Sequence, residues 1–360
     1  MPKTQQEYEK VLVLSDLHKG CSISKYKGDF QRAIEEEIAK ANHIVLNGDV
    51  FELFDILNVI DSSKAQFGLK NKANETMQKA SDDAIKYLEM LLEKYPEKKF
   101  HFVLGNHENL RYFTKRLDEL EAKHIKKKDN FNWSPEAIRL GEALFTHGDL
   151  QMEGQVHGDN ESDDPRARGQ FRLRHLDETE RAIKAAGKEK NGDFSKSLQT
   201  ITERWQFPRA ITSAALSIPG LSDLLVQAGL WVAHQLGYRT SRERAVELMH
   251  NYLHNPEFTK DFHYLEGCGH EPKPFTLEGI KHVFFGHTHL PFTAISYNGK
   301  NFDTNDEDAL IYHNTGSLIK GQKIKKIKDM QAQSFDLMPS GKVENSRRTF
   351  SEERAVGMSA

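Results

Sequence analysis

Cysteine is scarce in this chain of 360 residues, and the apolar start of a secreted protein is missing. The two cysteines, Cys21 and Cys268, lie far apart and outside any Cys-x-x-Cys spacing, which argues against a disulfide framework and a thiolate zinc site. We therefore expect a reducing compartment. The first residues, MPKTQQEYEK, carry charge where a secretory signal would be apolar, and this predicts a cytoplasmic protein.

Uninterrupted apolar runs are also lacking. In the most apolar segment, residues 210–237, a proline, a glycine, an aspartate and a histidine interrupt the roughly 20 apolar residues that a spanning helix requires. We expect no transmembrane helix, and we interpret the segment as buried or interfacial, which leaves peripheral contact with a membrane open.

The chain has no excess of positive charge that would attract it to a polyanion such as nucleic acid. The net charge is -3 and the pI is near 6.6, whereas nucleic-acid binding usually requires a strongly basic face. With 38% hydrophobic and 29% charged residues and a mean hydropathy of -0.66, the composition is typical of a globular protein that folds in water.

Short apolar runs alternate with stretches of helical period, which predicts a layered α/β fold. From about residue 151 to 265 the sequence is helical in character. We therefore expect a helical insertion or cap (151–265) within a discontinuous core (1–150 and 266–345), followed by a polar tail (346–360). The predicted strands are 11–15, 43–47, 99–104, 137–140, 143–146, 282–285, 310–313 and 334–337, and the clearest helices are 29–41 and 74–95.

Five predicted strands end on side chains that can bind a metal ion. Ligands of open α/β sheets gather beyond the carboxyl ends of strands, so residues remote in sequence can converge there. Carboxylate, amide oxygen and imidazole together suit manganese, iron or zinc. The five sets are Asp16 and His18, Asp49, Asn106 and His107, His147, and His287 and His289, and glycines at 48, 105, 148 and 286 permit sharp turns beside most of them.

The motifs at these strand ends, Asp-Leu-His, Gly-Asp, Gly-Asn-His-Glu, His-Gly-Asp and Gly-His-Thr-His, together resemble those of the calcineurin-like metallophosphoesterase family. The resemblance covers about residues 1–150 and 280–320 and implies a central β-sandwich flanked by helices. It implies hydrolysis of a phosphate monoester, diester or pyrophosphate by water activated between two metal ions. One ion would be bound by Asp16, His18 and His289, the other by Asn106, His147 and His287, and Asp49 would bridge both.

The resemblance also implies a catalytic role for His107, as a phosphate contact and as the acid that protonates the leaving oxygen. We expect Glu108, the next residue, to orient that imidazole, and Asn314 to support the site. The remaining histidines of predicted elements lack ligand spacing and are expected to be structural: His43, His101, His124, His250 and His282.

Three other functions stay open. Residues 48–55 and 314–317 are similar to segments of the UDP-diacylglucosamine hydrolases, and residues 210–237 would then line a pocket for a lipid-linked substrate, but His107 stands where those enzymes typically carry arginine. A nucleotide or nucleic-acid phosphodiesterase would use the basic residues 166–175, although a solvated helix face is the plainer interpretation. A non-catalytic metal-binding scaffold would be marked by lost ligands, and the sequence lacks none of them.

Overall fold

The computed structural model describes residues 8–20, 24, 26–53, 69–108, 111–126, 129–149, 151, 242–288, 291–316 and 332–348. The strands of these ranges are β1 (Glu9–Leu14), β2 (His43–Asn47), β3 (Lys99–Val103), β4 (Phe131–Ser134), β5 (Ala137–Leu140), β6 (Ala143–Thr146), β7 (His263–Glu266), β8 (Lys273–Pro274), β9 (His282–Phe285), β10 (Phe292–Tyr297), β11 (Leu310–Asn314), β12 (Gln333–Leu337) and β13 (Val343–Arg348). The helices are α1 (Asp29–Lys40), α2 (Leu69–Lys94), α3 (Arg111–Ile125), α4 (Arg242–His254) and α5 (Pro256–Thr259), with a 3-10 turn at Asn106–Glu108.

The strands form two sheets that pack face to face. The first has the order β13-β12-β1-β2-β3-β4, and the second has the order β10-β11-β9-β6-β5-β7-β8. Strands β1 to β4 pair in parallel, and so do β6, β9 and β11 in the second sheet. The carboxyl ends of β1, β2 and β3 therefore lie together at one edge of the first sheet, and those of β6 and β9 lie together in the second.

The central strands are rich in apolar residues because both of their faces are buried. In β1, Val11 and Val13 face the second sheet, where they join Phe145 and Phe284 in the core between the sheets. Alternate residues of a strand point to opposite faces, so Leu12 faces the other way and joins the core that α1, α2 and α3 cover. The result is the layered α/β sandwich that the sequence predicted.

Every predicted strand is present, with its ends displaced by two residues at most. Five strands were not predicted, namely β4, β7, β8, β10 and β13. Strand β4 (sequence FNWS) illustrates the reason, because its buried Asn132 would be costly in a core unless it were hydrogen-bonded. Its partners, the carbonyl oxygens of Gly267 and Gly269, lie 135 and 137 residues away in sequence.

Parts of the ranges expected as a cap and as a tail belong to the sandwich. Helix α4 lies within 151–265 and buries Val246 and Met249 against Val283 of the second sheet. Strand β7, in the same range, pairs with β5, and β13 continues to Arg348 in the first sheet. The rest of the expected cap, residues 152–241 with the apolar segment, lies outside the described residues. No helix of the described part is long and apolar enough to cross a membrane.

Two of the histidines without ligand spacing form a stacked pair in the first sheet. Nδ1 of His43 lies 2.8 Å from Nε2 of His101, and Nδ1 of His101 lies 2.8 Å from Oδ1 of Asn132. Because the Asn132 amide nitrogen donates to two backbone carbonyls, its oxygen is the acceptor, and the proton of His101 is on Nδ1. Burial, together with the charge on His43, lowers the pKa of His101 to about 3, so that it is neutral in the folded protein.

Candidate metal centre

Five strand ends from both sheets bring the candidate ligands to one edge of the sandwich. Asp16 and His18 follow β1, and Asp49 follows β2. Asn106 and His107 form the 3-10 turn after β3. From the second sheet, His147 follows β6 and His287 follows β9, while His289 lies outside the described residues.

The carboxylate of Asp49 lies at the middle of this cluster. Its Oδ2 is 3.2 Å from Nε2 of His147 and 3.9 Å from Nε2 of both His18 and His107. Ligand atoms within 4.8 Å of one another form two groups in the described part of the chain, His18 with Asp49 and His107, and Asp49 with His147 and His287. Asp49 belongs to both groups, as a bridging ligand would.

The donor atoms around His147 fit a bound cation. Its Nδ1 lies 3.2 Å from the carbonyl oxygen of Asn47, which can only accept, so the proton is on Nδ1. The lone pair of Nε2 then faces Oδ2 of Asp49 and Oδ1 of Asn106, each 3.2 Å away. Three acceptors that face one point repel each other unless positive charge, either a proton on Nε2 or a bound cation, lies between them.

The pKa of His147 also indicates that the site favours positive charge. Burial alone would lower its pKa, but the Asp49 carboxylate outweighs burial and raises the pKa of His147 to about 10. In turn, His147 and its neighbouring imidazoles hold the pKa of the buried Asp49 carboxyl well below its usual range, against the effect of burial. The site therefore attracts positive charge, and its mixture of carboxylate, amide and imidazole donors suits a borderline divalent ion.

Comparison with known families decides the class of protein. Residues 9–193 match the family model described as calcineurin-like phosphoesterase. The chain belongs to the calcineurin-like phosphoesterase family. It is therefore a metal-dependent phosphoric ester hydrolase. The matched range includes β1 to β6, whereas β9 and the Gly-His-Thr-His motif lie beyond it.

Among solved structures, the chain is similar to a dimetal phosphatase from Danio rerio, with 12% sequence identity and a TM-score of 0.31. The alignment covers 92% of this chain and 93% of that chain. At that score the likeness supports no conclusion about this phosphoesterase. No curated protein matches the chain.

Several candidate ligands of the phosphoesterase have an unusual backbone. Asp16, His18, Asp49 and His287 have φ values of 51°, 45°, 52° and 61°, in the left-handed region that non-glycine residues seldom adopt. Such conformations cost of the order of 1–3 kcal/mol each and persist where the surroundings enforce them. Backbone hydrogen bonds between the loops do so here, because the Asp16 N–H donates to Gly48 O and the His18 N–H donates to Asp49 O.

Two glycines let the chain approach the carboxylates closely. A Cβ added at Gly105 would overlap Oδ1 and the backbone nitrogen of Asp49. A Cβ at Gly286 would overlap Oδ2 of Asp16 in the same way. The loops after β3 and β9 therefore lie against these carboxylates at a distance that a side chain would prevent.

Glu108 does not take the position that we expected beside His107, and the carboxylate found there is Glu52. Oε1 of Glu52 lies 2.8 Å from Nδ1 of His107, and Oε2 lies 3.1 Å from Nδ1 of His18. Burial would raise the pKa of Glu52, but the two histidines outweigh it and lower the pKa to about 2. The ionised carboxylate thus keeps a proton on Nδ1 of both rings and leaves both Nε2 atoms directed at Asp49.

Glu108 instead accepts hydrogen bonds from the backbone. The N–H groups of Asp49 and Gly105 donate to Oε2 at 3.0 and 2.9 Å, and the N–H of Phe51 donates to Oε1 at 2.7 Å. It therefore joins the loops that carry Asp49 and Asn106. The sequence offered one signal for the residue that we missed, since Glu52 is an acidic residue three positions after Asp49.

Asp16 belongs to neither group of ligand atoms, and its carboxylate is held from both sides. It accepts hydrogen bonds from the Ser15 hydroxyl and from the backbone N–H of His287, the latter at 3.1 Å. Asn314 supports the same loop, because its Nδ2 donates to Gly286 O at 2.9 Å and to Thr288 Oγ1 at 3.1 Å. This is a contact of the supporting kind that we expected of Asn314.

Proposed function

We propose that the chain hydrolyses a phosphate monoester, diester or pyrophosphate at a centre of two divalent ions of manganese, iron or zinc. The observation that carries the proposal is the position of Asp49, whose carboxylate belongs to both groups of ligand atoms. The proposed ligands are Asp16, His18 and His289 for one ion, Asn106, His147 and His287 for the other, and Asp49 for both.

When bound, two divalent cations stabilise the charge that develops on the phosphoryl group and provide nucleophilic water at neutral pH. The residues of the chain determine where this can happen. Asp49 links the two ligand groups at one carboxylate, and its side chain is buried. Asn106 contributes an amide oxygen, so that it adds a ligand without adding a second negative charge beside Asp49.

We assign the transfer of a proton to His107. Because Nδ1 of this ring donates to Glu52, Nε2 is the nitrogen that remains for substrate, on the side of the ring that faces Asp49. The side chain is 13% exposed, and some exposure is a condition for contact with a phosphate ester. Nε2–H can bind a phosphoryl oxygen and pass its proton to the leaving oxygen, a role that contributes ~10²- to 10⁴-fold in rate.

The test compares metal-free and manganese-loaded protein in hydrolysis of bis(4-nitrophenyl) phosphate and 4-nitrophenyl phosphate. We expect activity with at least one ester, which chelation abolishes and about two equivalents of Mn²⁺ restore. Asp49→Asn should remove the activity, whereas Asp308→Asn, at an exposed position remote in sequence from the ligands, should retain it. Activity that survives in Asp49→Asn, or that needs no metal, would refute the proposal.

The same preparations identify the class of substrate. Lipid-linked pyrophosphates, cyclic nucleotides and single-stranded nucleic acid are offered in parallel, and kcat/KM is compared among them. Selective turnover of lipid-linked pyrophosphate would favour the UDP-diacylglucosamine hydrolase type. Selective turnover of nucleic acid, with binding that weakens steeply as salt rises, would favour a nuclease.

A further inference from the structure

We propose that Asn47 is a positioning residue that fixes the second sheet, and with it His147 and His287, at the distance the metal centre requires. The proposal rests on the proposed function, in which ligands from both sheets share one ion. It concerns a residue that binds neither substrate nor metal. Asn47 is the last residue of β2 in the first sheet and lies two residues before Asp49.

The side chain of Asn47 connects the two sheets. Its Nδ2 donates to the carbonyl oxygens of Thr146 and Phe284, at 3.1 and 3.2 Å. These acceptors lie on β6 and β9, which are neighbours in the second sheet. Thr146 directly precedes His147, and Phe284 lies three residues before His287. One amide group thus holds both strands that lead to the ligands of the second sheet.

The backbone of Asn47 contacts His147, one of these two ligands. Its carbonyl oxygen accepts from Nδ1–H of His147 at 3.2 Å, which leaves Nε2 directed at Asp49. A metal-binding imidazole usually donates its other N–H in this way, and the contact determines both the tautomer and the orientation of the ring. Asn47 therefore sets the position of β6 through its side chain and the direction of the His147 ring through its backbone.

The oxygen of the Asn47 side chain is not needed for these contacts. Oδ1 is buried and has no hydrogen-bond partner among the described residues, whereas Nδ2 has two. A buried polar atom without a partner is costly. A carboxamide at this position is therefore explained by its two donors and not by its acceptor.

Apolar packing alone would not hold the sheets with the accuracy that a metal site needs. The core between the sheets consists of side chains such as Val45, Val103 and Phe145, and such contacts have no preferred direction. Ligand distances in metal sites, in contrast, vary by only about 0.2 Å. Directed hydrogen bonds at the edge where the ligands lie supply the missing accuracy.

The chain contains a matched control for this role. Asn132 in β4 also lies in the first sheet, is buried, and donates from Nδ2 to two carbonyl oxygens, those of Gly267 and Gly269, both at 3.0 Å. Its acceptors follow β7 of the second sheet and do not lead to a candidate ligand. Asn47 and Asn132 thus share burial and two donated hydrogen bonds but differ in what their acceptors carry, and Oδ1 of Asn132 also accepts from His101.

The experiment compares Asn47→Leu with Asn132→Leu. Each removes two donated hydrogen bonds at nearly constant size, and Asn132→Leu removes in addition the acceptor of His101, which makes it the more severe test of stability. Mn²⁺ binding to metal-free protein is measured by calorimetry, the unfolding free energy by urea titration, and kcat and KM with the better of the two nitrophenyl esters. We expect Asn47→Leu to bind one Mn²⁺ about 10- to 100-fold more weakly and to lose kcat by a similar factor, with partial recovery at high Mn²⁺. Asn132→Leu should lose unfolding free energy but bind both ions as the unmodified protein does.

If Asn47→Leu does not fold, Asn47→Ser, which keeps one donor, replaces it in the same measurements. A folded variant at position 47 that binds two ions with unchanged affinity would overturn the inference, even if it were less stable. A weakening of equal size in Asn132→Leu would overturn it as well. If the unmodified protein itself binds fewer than two ions, the proposed function fails first, and that result is read from the unmodified protein alone.

Discussion

Replacing Glu52 by glutamine is expected to reduce turnover about 10- to 100-fold, and the reduction should depend on the leaving group of the substrate. The carboxylate accepts from Nδ1–H of His107 at 2.8 Å and of His18 at 3.1 Å. A carboxamide has the same shape, but only its oxygen can accept, so that one of the two contacts is lost. A hydrogen bond to a charged group is worth ~1.5–3 kcal/mol, which corresponds to the stated loss if it is expressed in the transition state.

Substrates with different leaving groups distinguish the contact of Glu52 with His107 from its contact with His18. If Glu52 acts through His107, the loss should depend on the ester. Hydrolysis of the phenyl ester, whose leaving oxygen needs the proton, should lose more kcat than hydrolysis of the corresponding 4-nitrophenyl ester. If Glu52 acts only through the proposed ligand His18, both esters should lose kcat equally, and more Mn²⁺ should restore it. We expect the first pattern.

Glu108→Gln is the matched control, because Glu108 accepts from backbone N–H groups and has no described contact with His107. It should lower the unfolding free energy and affect both esters by the same factor. The reasoning is refuted if Glu52→Gln keeps full kcat with the phenyl ester, or if Glu108→Gln shows the stronger dependence on the leaving group.

Two further predictions concern pH and close packing. His101 has a pKa of about 3 in the folded protein against 6.5 otherwise, so only the unfolded chain gains a proton between these values. Below pH 6.5 the metal-free protein should therefore lose unfolding free energy, about 3 kcal/mol by pH 4 from this residue, and urea titrations of His101→Gln should show that much less loss. An equal loss in both proteins would contradict the assignment. In Gly105→Ala the new Cβ overlaps Asp49, and calorimetry should show at least about tenfold weaker Mn²⁺ binding. Gly267→Ala, where nothing lies within 4 Å, should bind Mn²⁺ normally and lose only the unfolding free energy that its positive φ of 58° costs.

The strands that carry the candidate ligands could be predicted because their own apolar residues indicate that they are buried. Strands β2 and β9 are short, and each contains an unbroken run of three apolar residues, as strands covered on both faces often do. Polar residues obscure β4 and β13, two of the strands that escaped prediction. In β4 the partners of the buried Asn132 lie 135 and 137 residues away, and β13, with the polar sequence VENSRR, pairs with the preceding strand β12 without an apolar run to mark it.

The candidate site could be predicted as far as its residues follow strand ends, and no further. Glu108 was assigned to His107 because the two are adjacent in sequence. In the 3-10 turn, however, successive side chains point about 120° apart, and Glu108 turns toward the backbone at Asp49. Glu52 reaches His107 from a different loop, and that proximity depends on how β2 and β3 lie side by side.

The left-handed backbone at the proposed ligands Asp16, His18, Asp49 and His287 would also limit how the metal preference of this enzyme could be redesigned. Asparagine, aspartate and histidine tolerate that conformation better than other residues, so exchange among these three is the least strained. Cysteine, the natural choice to favour a soft ion, would add backbone strain of the order of 1–3 kcal/mol to whatever it gained as a ligand. Asn106 and His147, whose φ angles are ordinary, are therefore the positions at which a new ligand should be introduced first.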